Sequence, residues 1–67
     1  MFTVRVNGNS IEVRNGTALK EFLISSNYDI SRIAVELNGE IIPKKDYDGV
    51  ILKDSDSLEI VSFVGGG

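Results

Sequence analysis

Phe2-Thr3-Val4-Arg5-Val6-Asn7-Gly8-Asn9-Ser10-Ile11-Glu12-Val13-Arg14 decides the fold. On the first side of the Asn-Gly step, Phe2, Val4 and Val6 alternate with Thr3 and Arg5; on the second, Ile11 and Val13 alternate with Glu12 and Arg14. A period of two is that of a half-buried strand. Asn-Gly is a strong short hairpin marker, because both residues tolerate positive φ. Folding back there sets Val4 against Ile11 and Phe2 against Val13, so apolar meets apolar on one face and the register is self-consistent.

Downstream, Asn15-Gly16-Thr17 breaks the alternation, and Thr17 is placed to cap a helix. The spacing predicts that helix over 18–26, with Leu19, Phe22 and Leu23 as its apolar stripe, Ile24 off the stripe and Asn27 as a left-handed stop. After a connection through Tyr28–Arg32, Ile33, Val35 and Leu37 mark a third strand. Asn38-Gly39 turns it into Glu40-Ile41-Ile42, which Pro43 confines to a short edge strand. Lys44–Gly49, with its acidic run Asp46-Tyr47-Asp48-Gly49, reads as a surface loop. Val50-Ile51-Leu52 is a brief apolar return, Asp54-Ser55-Asp56 a turn, and 57–64 the last strand.

A helix after a hairpin can cover the hairpin's apolar face while the last strand slots in beside the first. This predicts an α+β two-layer domain of the β-grasp (ubiquitin-like) kind, a mixed sheet of four to five strands on one helix. Residues 1–64 form the domain, and 65–67 a flexible C-terminal glycine tail. The expected core is Phe2, Val4, Val6, Ile11, Val13, Leu19, Phe22, Leu23, Ile33, Val35, Leu37, Ile42, Leu58 and Ile60.

Composition narrows the function. The 67 residues hold no cysteine and no histidine, which removes disulfides, thiolate metal sites and Ser–His or Cys–His nucleophile pairs. The net charge of -3, from 7 basic and 10 acidic side chains, disfavours nucleic acid, which needs a basic face. Lys44-Lys45 is too small a cluster to change that. The carboxylate pairs Asp46/Asp48 and Asp54/Asp56 sit in turns, where Asp bonds its own backbone, and no calcium-loop spacing is present. No apolar run approaches the ~18 residues of a membrane span, and residues 1–5 lack the form of a signal peptide. The expectation is a soluble, cytoplasmic domain with no metal, no cofactor and no catalytic residue of its own.

One feature survives elimination. The sequence closes on Val64-Gly65-Gly66-Gly67. Three extended glycines reach about 10 Å, and without Cβ atoms they pass where other residues cannot. Their reactive group is the Gly67 carboxylate, which needs activation from elsewhere. If Leu58 and Ile60 face the core, Val61 and Phe63 stand on the opposite face of the sheet, next to Thr3, Arg5 and Ala34, as a surface for partner docking beside the tail.

A β-grasp pattern closing on Gly-Gly resembles the ubiquitin-like sulfur carriers, and most of all the thiamine-biosynthesis sulfur-carrier family (ThiS). The resemblance rests on Phe2-Thr3-Val4-Arg5-Val6-Asn7-Gly8, on Ala34-Val35-Glu36-Leu37-Asn38-Gly39-Glu40-Ile41-Ile42-Pro43, on Tyr47, and on Ile60-Val61-Ser62-Phe63-Val64-Gly65-Gly66-Gly67. It implies that a ThiF-like enzyme uses ATP to adenylate Gly67. Sulfur drawn from cysteine through a desulfurase then leaves a thiocarboxylate, with an acyl link to a partner cysteine as an optional stage. A ThiG-like thiazole synthase takes the sulfur for thiazole formation. In that scheme Gly65 and Gly66 thread the tail, and Val61, Phe63 and Val64 dock. Many members of the family end in two glycines, and this chain carries a third. The alternatives are a carrier like the small subunit of molybdopterin synthase, a protein-conjugating modifier, and a ubiquitin-like interaction module with an incidental tail.

Overall fold

The structure is a computed structural model and describes residues 1–63. Strands β1 (Phe2–Val6) and β2 (Asn9–Val13) form the expected hairpin, with Val4 opposite Ile11 and Phe2 opposite Val13. Asn7 and Gly8 take φ of 50° and 86°, the successive positive values of a type I′ turn, whose twist matches that of the strands. Asn38 and Gly39, at 50° and 88°, repeat this turn between β3 (Ile33–Leu37) and β4 (Glu40–Ile42). Strand β5 spans Ser57–Ser62. The order across the sheet is β2-β1-β5-β3-β4, with β5 parallel to β1 and antiparallel to β3. The last strand is therefore central, and the sheet is mixed.

Helix α1 (Leu19–Ser25) buries Leu19, Phe22 and Leu23 against Val4, Val6 and Val13 of the hairpin and Ile33, Val35, Leu58 and Ile60 of the other strands. Ser26 caps it and Asn27 takes φ of 68°, the left-handed stop. Phe2, Leu37 and Ile42 are half-buried at the margins of this core.

The structure corrects the sequence reading in four places. Ile11 is 39% exposed, not core. It lies on an outer strand, and a helix of 7 residues is too short to cover that strand, so Ile11 and the exposed Ile24 line an open groove between β2 and α1. Thr17 is not the N-cap. Its hydroxyl donates to the Arg14 carbonyl (2.7 Å), while Ala18 occupies the cap position and its N–H donates to the Glu21 carboxylate (3.0 Å).

Tyr47 is not on a surface loop. It is 1% exposed, the largest of the fully buried side chains, and Leu52 and Ala18 join it inside. The cause is visible in the backbone. The free N–H groups that every helix start leaves are met by this segment: Leu19 donates to the Val50 carbonyl (2.7 Å) and Lys20 to that of Tyr47 (2.9 Å). Leu52 in turn donates to the Thr17 carbonyl (3.0 Å), and Ala18 and Ile51 form an isolated bridge. Burial pushes the Tyr47 hydroxyl pKa up, against the weaker opposing pull of a hydrogen bond with the Val35 backbone. Finally, Thr3 and Arg5 are not neighbours of Val61 and Phe63, because β1 pairs in parallel with the start of β5, Arg5 against Ser57.

Candidate functional site

The candidate site is the end of β5. Leu58 and Ile60 point into the core, so Val61 emerges on the face away from α1, where it is 61% exposed; Phe63, beyond the strand, is 47% exposed. Val61 pairs with Ala34 of β3, as expected. The parallel register with β1, however, sets Arg5 against Ser57 and Val6 against Leu58. Strand β1 has therefore ended before Val61 is reached, which removes Thr3 and Arg5 from the patch.

Ile41 takes their place. It is 76% exposed and pairs with Glu36, which in turn pairs with Glu59, so all three share the open face with Ala34 and Val61. The sequence reading passed over Ile41, although period-two alternation around an inward Ile42 places it outward.

Phe63 is held from two sides. Its N–H donates to the Arg32 carbonyl (2.8 Å), and the Lys44 ammonium lies 5.6 Å from its ring centroid. At such exposure a cation–π contact contributes about 0.5–1 kcal/mol. Lys44 also donates weakly to the Ser31 carbonyl (3.4 Å), which ties the second 3-10 turn (Lys44–Asp46) to the first (Ile30–Arg32). Asp29 caps that first turn. Its carboxylate accepts from the Ser31 hydroxyl and backbone N–H, and lies 3.4 Å from Arg32. The Ser31 bonds, more than the guanidinium, hold its pKa below the usual carboxylate value.

A residue that the sequence reading treated only as a turn former also belongs here. Beyond Val6, the Asn7 side chain takes over from β1 as the pairing partner of β5. The Ile60 N–H donates to Asn7 Oδ1 (2.7 Å), and Asn7 Nδ2 donates to the Ile60 carbonyl (3.1 Å). Asn38 does a related job at the other end of β5. Its Oδ1 accepts from the Ser57 N–H, and its Nδ2 donates to the buried Asp56, which also accepts from the Lys53 N–H (2.7 Å). Asp54 accepts from the Thr3 N–H at 3.4 Å, so the Asp54/Asp56 pair is structural, as expected.

Among the described residues, no group of acidic side chains is placed to hold a metal ion, and no helix is long and apolar enough to cross a membrane. A concavity bounded by Thr3, Ser10, Asp54 and Ser57 lies away from Phe63 and is lined by turn and strand groups already engaged in the fold. The expected docking residue Val64, the threading residues Gly65 and Gly66 and the reacting residue Gly67 lie outside the described residues.

A five-stranded mixed sheet on one helix, with an apolar open face beside its last strand, is a ubiquitin-like β-grasp domain. The chain belongs to the ThiS family, whose model matches residues 4–67. It is 38% identical over 65 residues to the sulfur carrier protein ThiS of Bacillus subtilis, across 96% of this chain and 98% of that one. It is 39% identical over 62 residues to a thiazole synthase of Paramagnetospirillum magneticum, across 92% of this chain but 19% of that protein. Against this synthase and that of Magnetococcus marinus, the chain spans 19–20% of the relative's length. The crystal structure of a thiamine biosynthesis protein (ThiS) from Geobacter metallireducens superposes with a TM-score of 0.83 at 30% identity, covering 98% of this chain and 100% of that one.

Proposed function

We propose that the chain is a sulfur carrier of thiamine biosynthesis, a protein that enzymes act on and not itself a catalyst. The supporting observation is the match to a ThiS over nearly the whole of both chains. The open face and the absence of histidine and cysteine fit a handle that borrows its chemistry. In this reading a ThiF-like enzyme spends ATP on the Gly67 carboxylate. The carboxylate oxygen attacks the α-phosphorus and pyrophosphate leaves, giving an acyl-adenylate. A persulfide charged by a cysteine desulfurase then attacks the acyl carbon through its outer sulfur and displaces AMP. A second partner thiol cleaves the S–S bond of the resulting acyl disulfide, leaving a partner disulfide and the thiocarboxylate, which is delivered to a thiazole synthase. Gly65 and Gly66 let the tail pass into the partners' sites. Val61, Phe63 and Val64, together with Ile41, dock, and the domain needs no cofactor of its own. The likeness to two thiazole synthases favours the thiazole branch over a pterin.

Intact-mass spectrometry tests this. Incubated with a ThiF-like enzyme, ATP and a sulfur source, the protein should gain about 16 Da, one oxygen replaced by sulfur at the activated acyl group. A mass unchanged under conditions that convert an authentic ThiS would overturn the reading.

A further inference from the structure

The backbone of β5 alternates between its two neighbours, and the alternation fixes where each residue's polar groups point. The Asn38 N–H donates to the Ser57 carbonyl and the Phe63 N–H to the Arg32 carbonyl. Residues 57, 59, 61 and 63 therefore bond towards β3. On the other edge, Asp56 and Leu58 accept from the N–H groups of Arg5 and Asn7 (2.8 and 2.9 Å). Ile60 is met on that edge by the Asn7 side chain. Ser62 is next in this series. Its N–H and carbonyl point to the side that β1 has already left, and among the described residues nothing pairs with them. The central strand of the sheet thus becomes an edge strand over its last residue, at the point where the chain runs on towards Gly67.

We infer that this short edge is a strand-addition site: an extended backbone segment of the thiazole synthase pairs with Ser62 on the side vacated by β1, and so aligns the residues that follow. The inference rests on the sulfur-carrier reading and specifies how the carrier is gripped. Three observations carry it. Ser62 presents a donor and an acceptor side by side, the unit of a ladder. The molecule itself fills the preceding position with the amide of Asn7, which has the donor and acceptor arrangement of a peptide group, so the edge is shaped to receive one. The site is also continuous with the open-face patch, since Val61 and Phe63 flank Ser62. A backbone grip suits a segment closing on Gly65-Gly66-Gly67, which offers no side chains to recognise. The Ser62 side chain takes no part in the pairing.

Amide exchange measured by NMR, on the free protein and on its complex with a thiazole synthase, provides the test. In the free protein, the Ser62 amide should exchange fast while those of Val61 and Phe63 are protected. In the complex, Ser62 should slow by about tenfold or more, as a newly bonded amide does. Ser62→Pro removes the outward donor without touching the β3 ladder, a placement that edge strands tolerate. It should weaken binding about tenfold, on the scale of a lost backbone bond, whereas Ser62→Ala should bind as the wild type does. Continued protection of Val61 and Phe63 in the proline variant shows that the fold is kept. Ser62 exchanging equally fast in a saturated complex, or already slow in the free chain, overturns the inference and leaves the carrier reading standing. Protection that rises with protein concentration alone assigns the edge to a second copy and also overturns it. Wild-type protein that binds no thiazole synthase removes both readings.

Discussion

The two ends of β5 are held differently. At its start, Ser57 and Leu58 are bonded on both sides, to β1 and to the β3–β4 turn, and the carboxylate of Asp56 is buried beneath Asn38. At its finish, the Phe63 N–H alone is bonded, to the Arg32 carbonyl on the β3 side, the Ser62 backbone groups turn to the opposite side with no partner among the described residues, and Val61 and Phe63 are largely exposed. One strand thus supplies the centre of the core with its first half and exposed apolar side chains, the proposed docking face, with its second. The division teaches that stability and binding can be changed separately along six residues.

That claim breaks if substitutions at the two ends have similar effects. The largest loss is expected from Leu58→Ala, which empties a fully buried site in the cluster beneath α1. Such truncations cost about 2–5 kcal/mol. A domain of 67 residues has only about 3–10 kcal/mol in total. Urea titration should show a much lower midpoint or an unfolded chain. Asp56→Ala comes next. It strands the Lys53 N–H and the Asn38 amide, both of which donate to this buried carboxylate. A loss of about 2–3 kcal/mol is expected in the same titration.

Asn7→Gly sharpens the comparison, because it sits where the two halves meet. Glycine keeps the positive φ that the turn requires, so the substitution isolates the two bonds to Ile60. A loss of about 1–2 kcal/mol is expected, net of the turn, at roughly one per bond. The Ile60 amide should lose exchange protection while that of Ser57 keeps it. Asn38→Gly should show the reverse pattern, with Ser57 exposed and Ile60 protected. Equal effects at both amides would mean that β5 frays as a unit, and the distinction between its ends would fall.

The same contrast explains what the sequence disclosed. Alternation fixed the outward sense of Val61 and Phe63 once Leu58 and Ile60 were placed inside, and the Asn-Gly steps located both hairpins, because these are local properties. The position of β1 along β5 was not legible. A parallel register depends on a long crossover connection and leaves no mark in either strand, so Thr3 and Arg5 were set beside Val61 in error. The amide of Asn7 was read only for its φ, since its partner lies 53 residues away. Tyr47 was hidden by its neighbours. Asp46 and Asp48 mark a surface turn by composition, yet the helix start draws the backbone between them inward by taking the Tyr47 carbonyl as an acceptor. Ile41 was within reach of the same alternation that placed Val61.

The smallest expected effect on stability, and the one that separates the two ends most sharply, belongs to Phe63→Asp. The ring is half in solvent and contributes little more than its contact with Lys44, so stability should change by about 1 kcal/mol or less. The new carboxylate stands near the Lys44 ammonium, which offsets part of even that loss. Binding should respond quite differently. A charge placed beside Val61 and Ile41 on the proposed docking face must be desolvated on binding with only Lys44 near it, which costs more than the loss of the ring's buried area alone. Calorimetric titration against the proposed partner, a ThiF-like adenylating enzyme, should show affinity reduced about tenfold or more, some 1.4 kcal/mol, with the urea midpoint nearly unmoved. Val61→Asp should behave in the same way, because it shares the face without touching Lys44. A variant with a lowered midpoint and unchanged affinity would reverse the assignment and make the end of β5 part of the scaffold.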